Sequence, residues 1–339
     1  MISRDVERQL HRAPKITVQF AITPELHNVF QAWSASVPTL YFLDICVVNF
    51  TKQSSGVIEK DKRKARLIGR LRDLDRPQHK FSYLLALIEK VSDPRGLLSD
   101  DELEAQVLGD VAALRAFFQK AAVVEPDEFL VGYLRELRRN PHESMRPQYL
   151  TFLETANNLF KLRDPVSPRR RFQMTQAIVQ VADALSISRQ HPLVLLTLAC
   201  LYGNLSAKKI MKFKADAATF DAENALADIM VISRFLPRKL EIEDAGLRGN
   251  GCMRSEFITD DRGLLGVLKC FDVQAVSFNE GSDVCQTRTD VRVNFLELLA
   301  DLAHFHQSRP KEIENPAKEA LDEYDRICEL LLQPTGALS

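Results

Sequence analysis

The chain predicts a helix-rich α/β fold: a parallel sheet flanked by helices, with an α-helical insertion and C-terminal helices. Strand-like runs lie towards both ends of the sequence, with long helix-patterned stretches between them, so the sheet must be assembled from distant segments. Only 13 glycines occur in 339 residues, and 45% of the residues are hydrophobic, enough for one large core or two domains. No repeat or low-complexity tract interrupts this pattern.

Lys15 to Ala21 alternates, with Ile16, Val18 and Phe20 apolar, and reads as a half-buried strand. Thr23-Pro24-Glu25 then has the form of an N-cap followed by proline at the first helical position. Tyr41 to Val48 is a continuous apolar run broken only by Asp44, which predicts a buried central strand. A long charged helix is expected from Asn49 to about Arg72. Between 98 and 190 the pattern is helical throughout. Ser99-Asp100-Asp101-Glu102 and Glu125-Pro126-Asp127-Glu128 are start signals, and Arg146 to Lys161 and Arg170 to Ile187 carry 3.6-residue periods.

Pro192 to Tyr202 is an apolar helix, too short to span a bilayer. Asp221 to Phe235 is another helix, with Ala222, Ala225, Ile229 and Ile232 on one face. Strands return at Glu256 to Thr259 and at Phe271 to Phe278. Helices near 291 to 307 and 314 to 332 close the chain, the second after Glu314-Asn315-Pro316. The implied organisation is a discontinuous core from 1–97 and 190–280, a helical insertion at 98–189 and a C-terminal helical region at 281–339.

With 45 Lys plus Arg against 46 Asp plus Glu, no overall field draws the chain to a polyanion, so any such affinity must come from local basic patches. The six cysteines are scattered and include no C-x-x-C pair, which suits a reducing compartment and leaves no legible zinc site. The charged N-terminus has no apolar leader pattern, and a cytoplasmic protein with no membrane partner is expected. P-loop, G-x-G-x-x-G and G-x-S-x-G patterns do not occur, which counts against common NTPase, dehydrogenase and hydrolase chemistries.

Four carboxylates stand where an apolar or helical run breaks: Asp44, Glu89, Asp228 and Asp261. Burying such groups is costly unless positive charge meets them, and a divalent cation is the natural partner if the fold gathers them. Asp44 and Asp261 both follow apolar strands, where open α/β sheets bind ligands. Asp228 and Glu89 sit on helices beside apolar faces. Taken singly, each has a structural explanation. Asp44 and Asp260-Asp261 are ordinary helix caps, Glu89 is a solvated helix residue, and Asp228 is an ion-pair partner for Arg234 or Lys212.

The order of these motifs resembles the PIN domain family of metal-dependent ribonucleases. Tyr41-Phe42-Leu43-Asp44 stands for its first strand and Asp, and Leu85-Ala86-Leu87-Ile88-Glu89 for the helix carrying Glu. Asn224-Ala225-Leu226-Ala227-Asp228 stands for the later helix, and Phe257-Ile258-Thr259-Asp260-Asp261 for the final strand and its Thr-x-Asp. Ile45 and Cys46 depart from the small hydroxylic residue and Asn that often follow the first Asp. The long separation of Glu89 from Asp228 requires the insertion, or a second acidic residue at Glu143 or Glu154.

The resemblance implies an endoribonuclease that hydrolyses RNA phosphodiesters with Mg²⁺ or Mn²⁺ held by Asp44, Glu89, Asp228 and Asp261. Thr259 would orient a carboxylate or the attacking water, and Asp260 is the alternative to Asp261. DNA as a second substrate, a cognate inhibitory protein and a homodimer are partners compatible with this reading.

Two rival readings stand beside it. One is a non-catalytic helical interaction protein with a degenerate PIN-like core. The other is a metal-independent ribonuclease using Arg72 and His79, which loosely match the Arg…His signature of HEPN ribonucleases although Pro77 interrupts the segment. The basic runs Lys60 to Arg72 and Arg169-Arg170-Arg171 are phosphate-binding candidates or solvated helix faces. His304 and His306, two residues apart, do not share a helix face.

Overall fold

The computed structural model describes residues 23–93, 99–140, 143–279, 286–307 and 314–333, and the chain divides into two units, residues 1–37 and 38–339. In the first unit, helix α1 (Pro24–Ser36) starts as its sequence predicts: the Thr23 side chain accepts the Leu26 N–H at 3.3 Å and proline occupies the first turn. The alternating segment at 15–21 lies outside the described residues.

The second unit begins β1 (Thr39–Leu43), α2 (Ile45–Thr51), α3 (Ser55–Glu59), α4 (Lys62–Asp73), β2 (Lys80–Ser82), α5 (Leu84–Ser92) and α6 (Asp100–Phe117). It continues β3 (Ala122–Val123), α7 (Asp127–Arg139), α8 (Arg146–Thr155), α9 (Pro168–Ala184), α10 (Pro192–Leu201), α11 (Leu205–Met211) and α12 (Ala222–Leu247). The remainder is β4 (Arg254–Ile258), α13 (Arg262–Leu268), β5 (Phe271–Asn279), β6 (Gln286–Val293), α14 (Phe295–Leu298), α15 (Ala300–Gln307) and α16 (Glu314–Leu332).

Four strands form a parallel sheet in the order β3-β2-β1-β4, so within this sheet the strand earliest in sequence lies beside the latest. Phe42 and Leu43 of β1 and Phe81 of β2 are buried, and helices cover them, as parallel sheets require. Helix α10 is buried from Leu193 to Leu201 on every side, so its sequence is apolar without a stripe. Among the described residues, no helix is long and apolar enough to cross a membrane.

Several expectations are corrected. The run from Tyr41 to Val48 is a strand only to Leu43, because Asp44 caps a helix and Ile45 onward is helical. The single helix expected from Asn49 to Arg72 is three helices: the chain turns extended at Ser54 and again at Asp61, whose side chain accepts the Arg63 and Lys64 N–H groups and starts α4. The block 98–189 is mostly helix, yet Ala122–Val123 pairs with β2, so this block contributes to the sheet. Two residues are too few to show a strand period.

The helix expected near 291 to 307 begins only after strand β6 ends at Val293, and it is two short helices, Phe295–Leu298 and Ala300–Gln307. Residues Thr287, Thr289, Val291 and Val293 repeat β-branched side chains every second position, the pattern of β6, which pairs antiparallel with β5 in a separate two-stranded sheet. Helix α12 runs 26 residues, past the expected end at Phe235 and through Pro237. That proline gives up one backbone bond inside the helix.

Buried ion pairs lock the helices. Arg234 of α12 donates to Glu143 at 2.6 and 2.8 Å, and both side chains are at most 5% exposed. Arg189 holds Asp183 at 2.6 Å and donates to the Leu330 carbonyl at 2.9 Å, tying the end of α16 to α9.

A candidate carboxylate site at the carboxyl end of the sheet

Strand order reverses beside β1: β2 and β3 extend the sheet on one side and β4 on the other, and ligands of open α/β sheets sit outside the carboxyl ends at such a reversal. Asp44 follows β1 there, and its N–H donates to the Ile258 carbonyl of β4 at 3.0 Å. One Asp44 oxygen accepts the Cys46 N–H at 3.1 Å, and the other accepts the Thr259 hydroxyl. The same hydroxyl accepts the Asp261 N–H at 3.0 Å, so Thr259 couples the two strand-end aspartates.

Asp261 is also the N-cap of α13, accepting the Leu264 N–H at 2.9 Å. Asp260 turns away to Arg63 at the start of α4, which reaches it through Nε at 3.0 Å and also through Nη2. Of the adjacent pair, Asp261 is therefore the one that faces Asp44. Cys46 stands where the PIN resemblance expects a more polar neighbour. Burial and the Asp44 carboxylate push its thiol up, so it remains protonated.

The helical carboxylates come in from α12 and α5. Asp228 holds Lys212 Nζ at 2.7 Å. Burial pushes its carboxyl up to about 6, against the pull of Lys212, with further upward pressure from Asp261 and Asp44. Glu89 is pushed up to about 8, by burial first and then by Asp44 and Asp228, with Arg234 pulling the other way. Asp44 is raised too, by burial, with Asp261 adding repulsion while Thr259 and Cys46 oppose it. Asp44 and Asp228 therefore lie within electrostatic reach of Glu89, and Asp261 within reach of Asp44 and Asp228.

Their donor chemistry suits a hard divalent cation. Among the described residues, however, no three His, Cys, Asp or Glu side chains are arranged around a common point as metal ligands. The hydrogen bonds give the reason: oxygens of Asp44, Asp228 and Asp261 are turned towards Thr259, Cys46, Lys212 and Leu264, each taking a donor from the chain itself. No protein-family model matches the chain, and no curated protein or solved structure matches it.

The other sequence candidates lie elsewhere. Glu143 is committed to Arg234, and Glu154 is exposed on α8. His79 is only 2% exposed, with Nδ1 at 2.9 Å from the Leu74 carbonyl and its ring edge-on to Tyr41. Arg72 is solvent-facing at the end of α4, so these two side chains do not present a joint acid-base pair. Side chains of His304 and His306 lie outside the described residues. Sequence reading named Lys212 only as an ion-pair partner; its signal was the lysine density of Lys208-Lys209-Ile210-Met211-Lys212-Phe213-Lys214.

Proposed function

We propose that this chain is a PIN-like, metal-dependent endoribonuclease whose site is the carboxylate group at the carboxyl end of the sheet. One observation carries the reading: Asp44, Glu89 and Asp228, drawn from three separated elements, have their carboxyl groups raised by burial and by neighbouring carboxylates, Asp261 among them, beside the reversal of strand order. Asp44 and Asp261 would hold Mg²⁺ or Mn²⁺ from the strand ends, with Glu89 and Asp228 completing the set from the helices. The chemistry such an ion supplies is Lewis-acid polarisation of the phosphoryl group and a more acidic water.

The chain's own contributions follow from the contacts. Thr259 fixes the orientation of Asp44 by donating to one of its oxygens. At neutral pH Glu89 keeps a proton on its carboxyl group until positive charge arrives. Cation binding should therefore release protons.

The test is cleavage of RNA with Mn²⁺ or Mg²⁺ by the native chain and by Asp44→Asn and Asp261→Asn. Each variant is expected to lose at least a hundredfold in rate, and EDTA should abolish activity. Activity that survives both substitutions and EDTA would remove the metal mechanism. A second reading, a non-catalytic interaction protein with the same core, is favoured by the Lys212 ammonium already sitting on Asp228. It predicts neither cleavage nor proton release on adding Mn²⁺.

A further inference from the structure

Without a metal ion, a group of carboxylates repels the phosphodiester that a ribonuclease must admit, so side-chain cations beside it favour binding. We propose that Lys212 and Arg63 form a phosphate clamp that seats the backbone of single-stranded RNA beside the carboxylates; the proposal rests on the nuclease reading for its substrate. Both cations are held at the site by acidic partners, Lys212 by Asp228 at 2.7 Å and Arg63 by Asp260, and both remain open to solvent, with side chains 39% and 56% exposed. They come from different elements: Arg63 from the first turn of α4, Lys212 from the C-cap of α11.

Two backbone features place the end of α11. Lys212 adopts φ 50°, a left-handed conformation that favours glycine, so a long cationic side chain stands where the backbone alone would select none. Gly263, in the first turn of α13, lets α11 approach the strand-end loop. A Cβ there would lie 2.8 Å from Lys209 Cβ and 3.0 Å from the Ser206 carbonyl. Lys209 is exposed on α11, and Lys62 and Arg66 are exposed on α4, so each element carries further positive charge. Such contacts bind phosphates without reading sequence, and their strength falls with salt.

The experiment is fluorescence anisotropy of a labelled single-stranded RNA oligonucleotide in EDTA, where no cleavage intervenes, over a range of salt. Lys212→Gln and Arg63→Gln are each expected to weaken binding several-fold and to lower the log–log salt slope by about 0.7, the loss of one phosphate contact. Lys212→Arg should keep both the affinity and the slope, which separates lost charge from a damaged fold, and Arg135→Gln on α7 should behave as native.

Unchanged affinity and slope in both glutamine variants, or an equal loss in Arg135→Gln, would overturn the clamp. So would native chain that does not bind RNA at low salt. Asp44→Asn should bind RNA at least as tightly as native. A chain that needs Lys212 and Arg63 to bind RNA, yet cleaves it with neither cation, supports the clamp while removing the nuclease reading.

Discussion

Glu89 is where residue-scale chemistry is most testable. Its carboxyl is pushed from 4.5 up to about 8 by burial and by Asp44 and Asp228, so between those values the folded chain holds a proton that the unfolded chain has released. The sign follows: this group costs no stability below pH 4.5, destabilises progressively as pH rises through the window, and levels off above about 8. In metal-free buffer the Tm of Glu89→Gln minus that of native should grow by a few degrees from pH 5 to pH 8. Mn²⁺ should shrink that difference by stabilising the ionised native site. A flat difference would contradict the burial of Glu89 beside Asp44 and Asp228.

The four carboxylates were legible in sequence because each interrupts a run that would otherwise be buried. Two features were not legible. Nothing local decides between Asp260 and Asp261; the choice is made by Arg63, far away in sequence. Nor does the text of the chain reveal that Lys212 is left-handed, or choose Lys212 over Arg234 as the partner of Asp228, since that follows from how α11 meets α12 and from Glu143 taking Arg234.

Among the elements, α2 and α5 carry Asp44 and Glu89 at their ends, and one residue of α6 fixes both. Asp110 accepts Lys52 Nζ at the end of α2 at 2.6 Å, Lys90 Nζ of α5 at 2.7 Å and the Tyr83 hydroxyl at 2.7 Å. Burial would raise its carboxyl, but these three donors outweigh it and hold it low. Glu125 secures the other end of α5, accepting the Tyr83 N–H at 3.0 Å and the Ser82 hydroxyl. Asp110→Ala is expected to destabilise the chain by about 3 kcal/mol, because it leaves two lysines without their partner. Chemical denaturation would measure this, and a loss below about 1 kcal/mol would mean that the lysines find other partners or water.

Caps made much of this level readable: Thr23 and Ser99 stand where helices begin, and Ser99 with Glu102 forms the full capping box. Edges did not. β3 is only two residues long, and β6 carries its pattern in threonines and charges that read equally well as a polar helix.

For the molecule as a whole, the helix-rich α/β class was recoverable from composition and from strands at distant positions, but the pairing of those strands was not. β4 lies beside β1, and the hydrogen bond between Thr259 and Asp44 spans 215 residues. Contacts of such separation slow folding, because a long loop must close before they form. Under the nuclease reading, Mn²⁺ is expected to raise the Tm of the full chain and to leave unchanged that of a chain truncated before Arg254, which lacks β4, Thr259 and Asp261. Thermal melts that show the same rise in both, or none in the full chain, would contradict a cation held by Asp261.

Placing β4 beside β1 also has a consequence for synthesis. A ribosome makes β1 early and β4 late, so a nascent chain displays Asp44 and Glu89 long before Asp261 leaves the exit tunnel. Under the nuclease reading, the growing polypeptide is inert towards the messenger that encodes it until most of the protein has been translated.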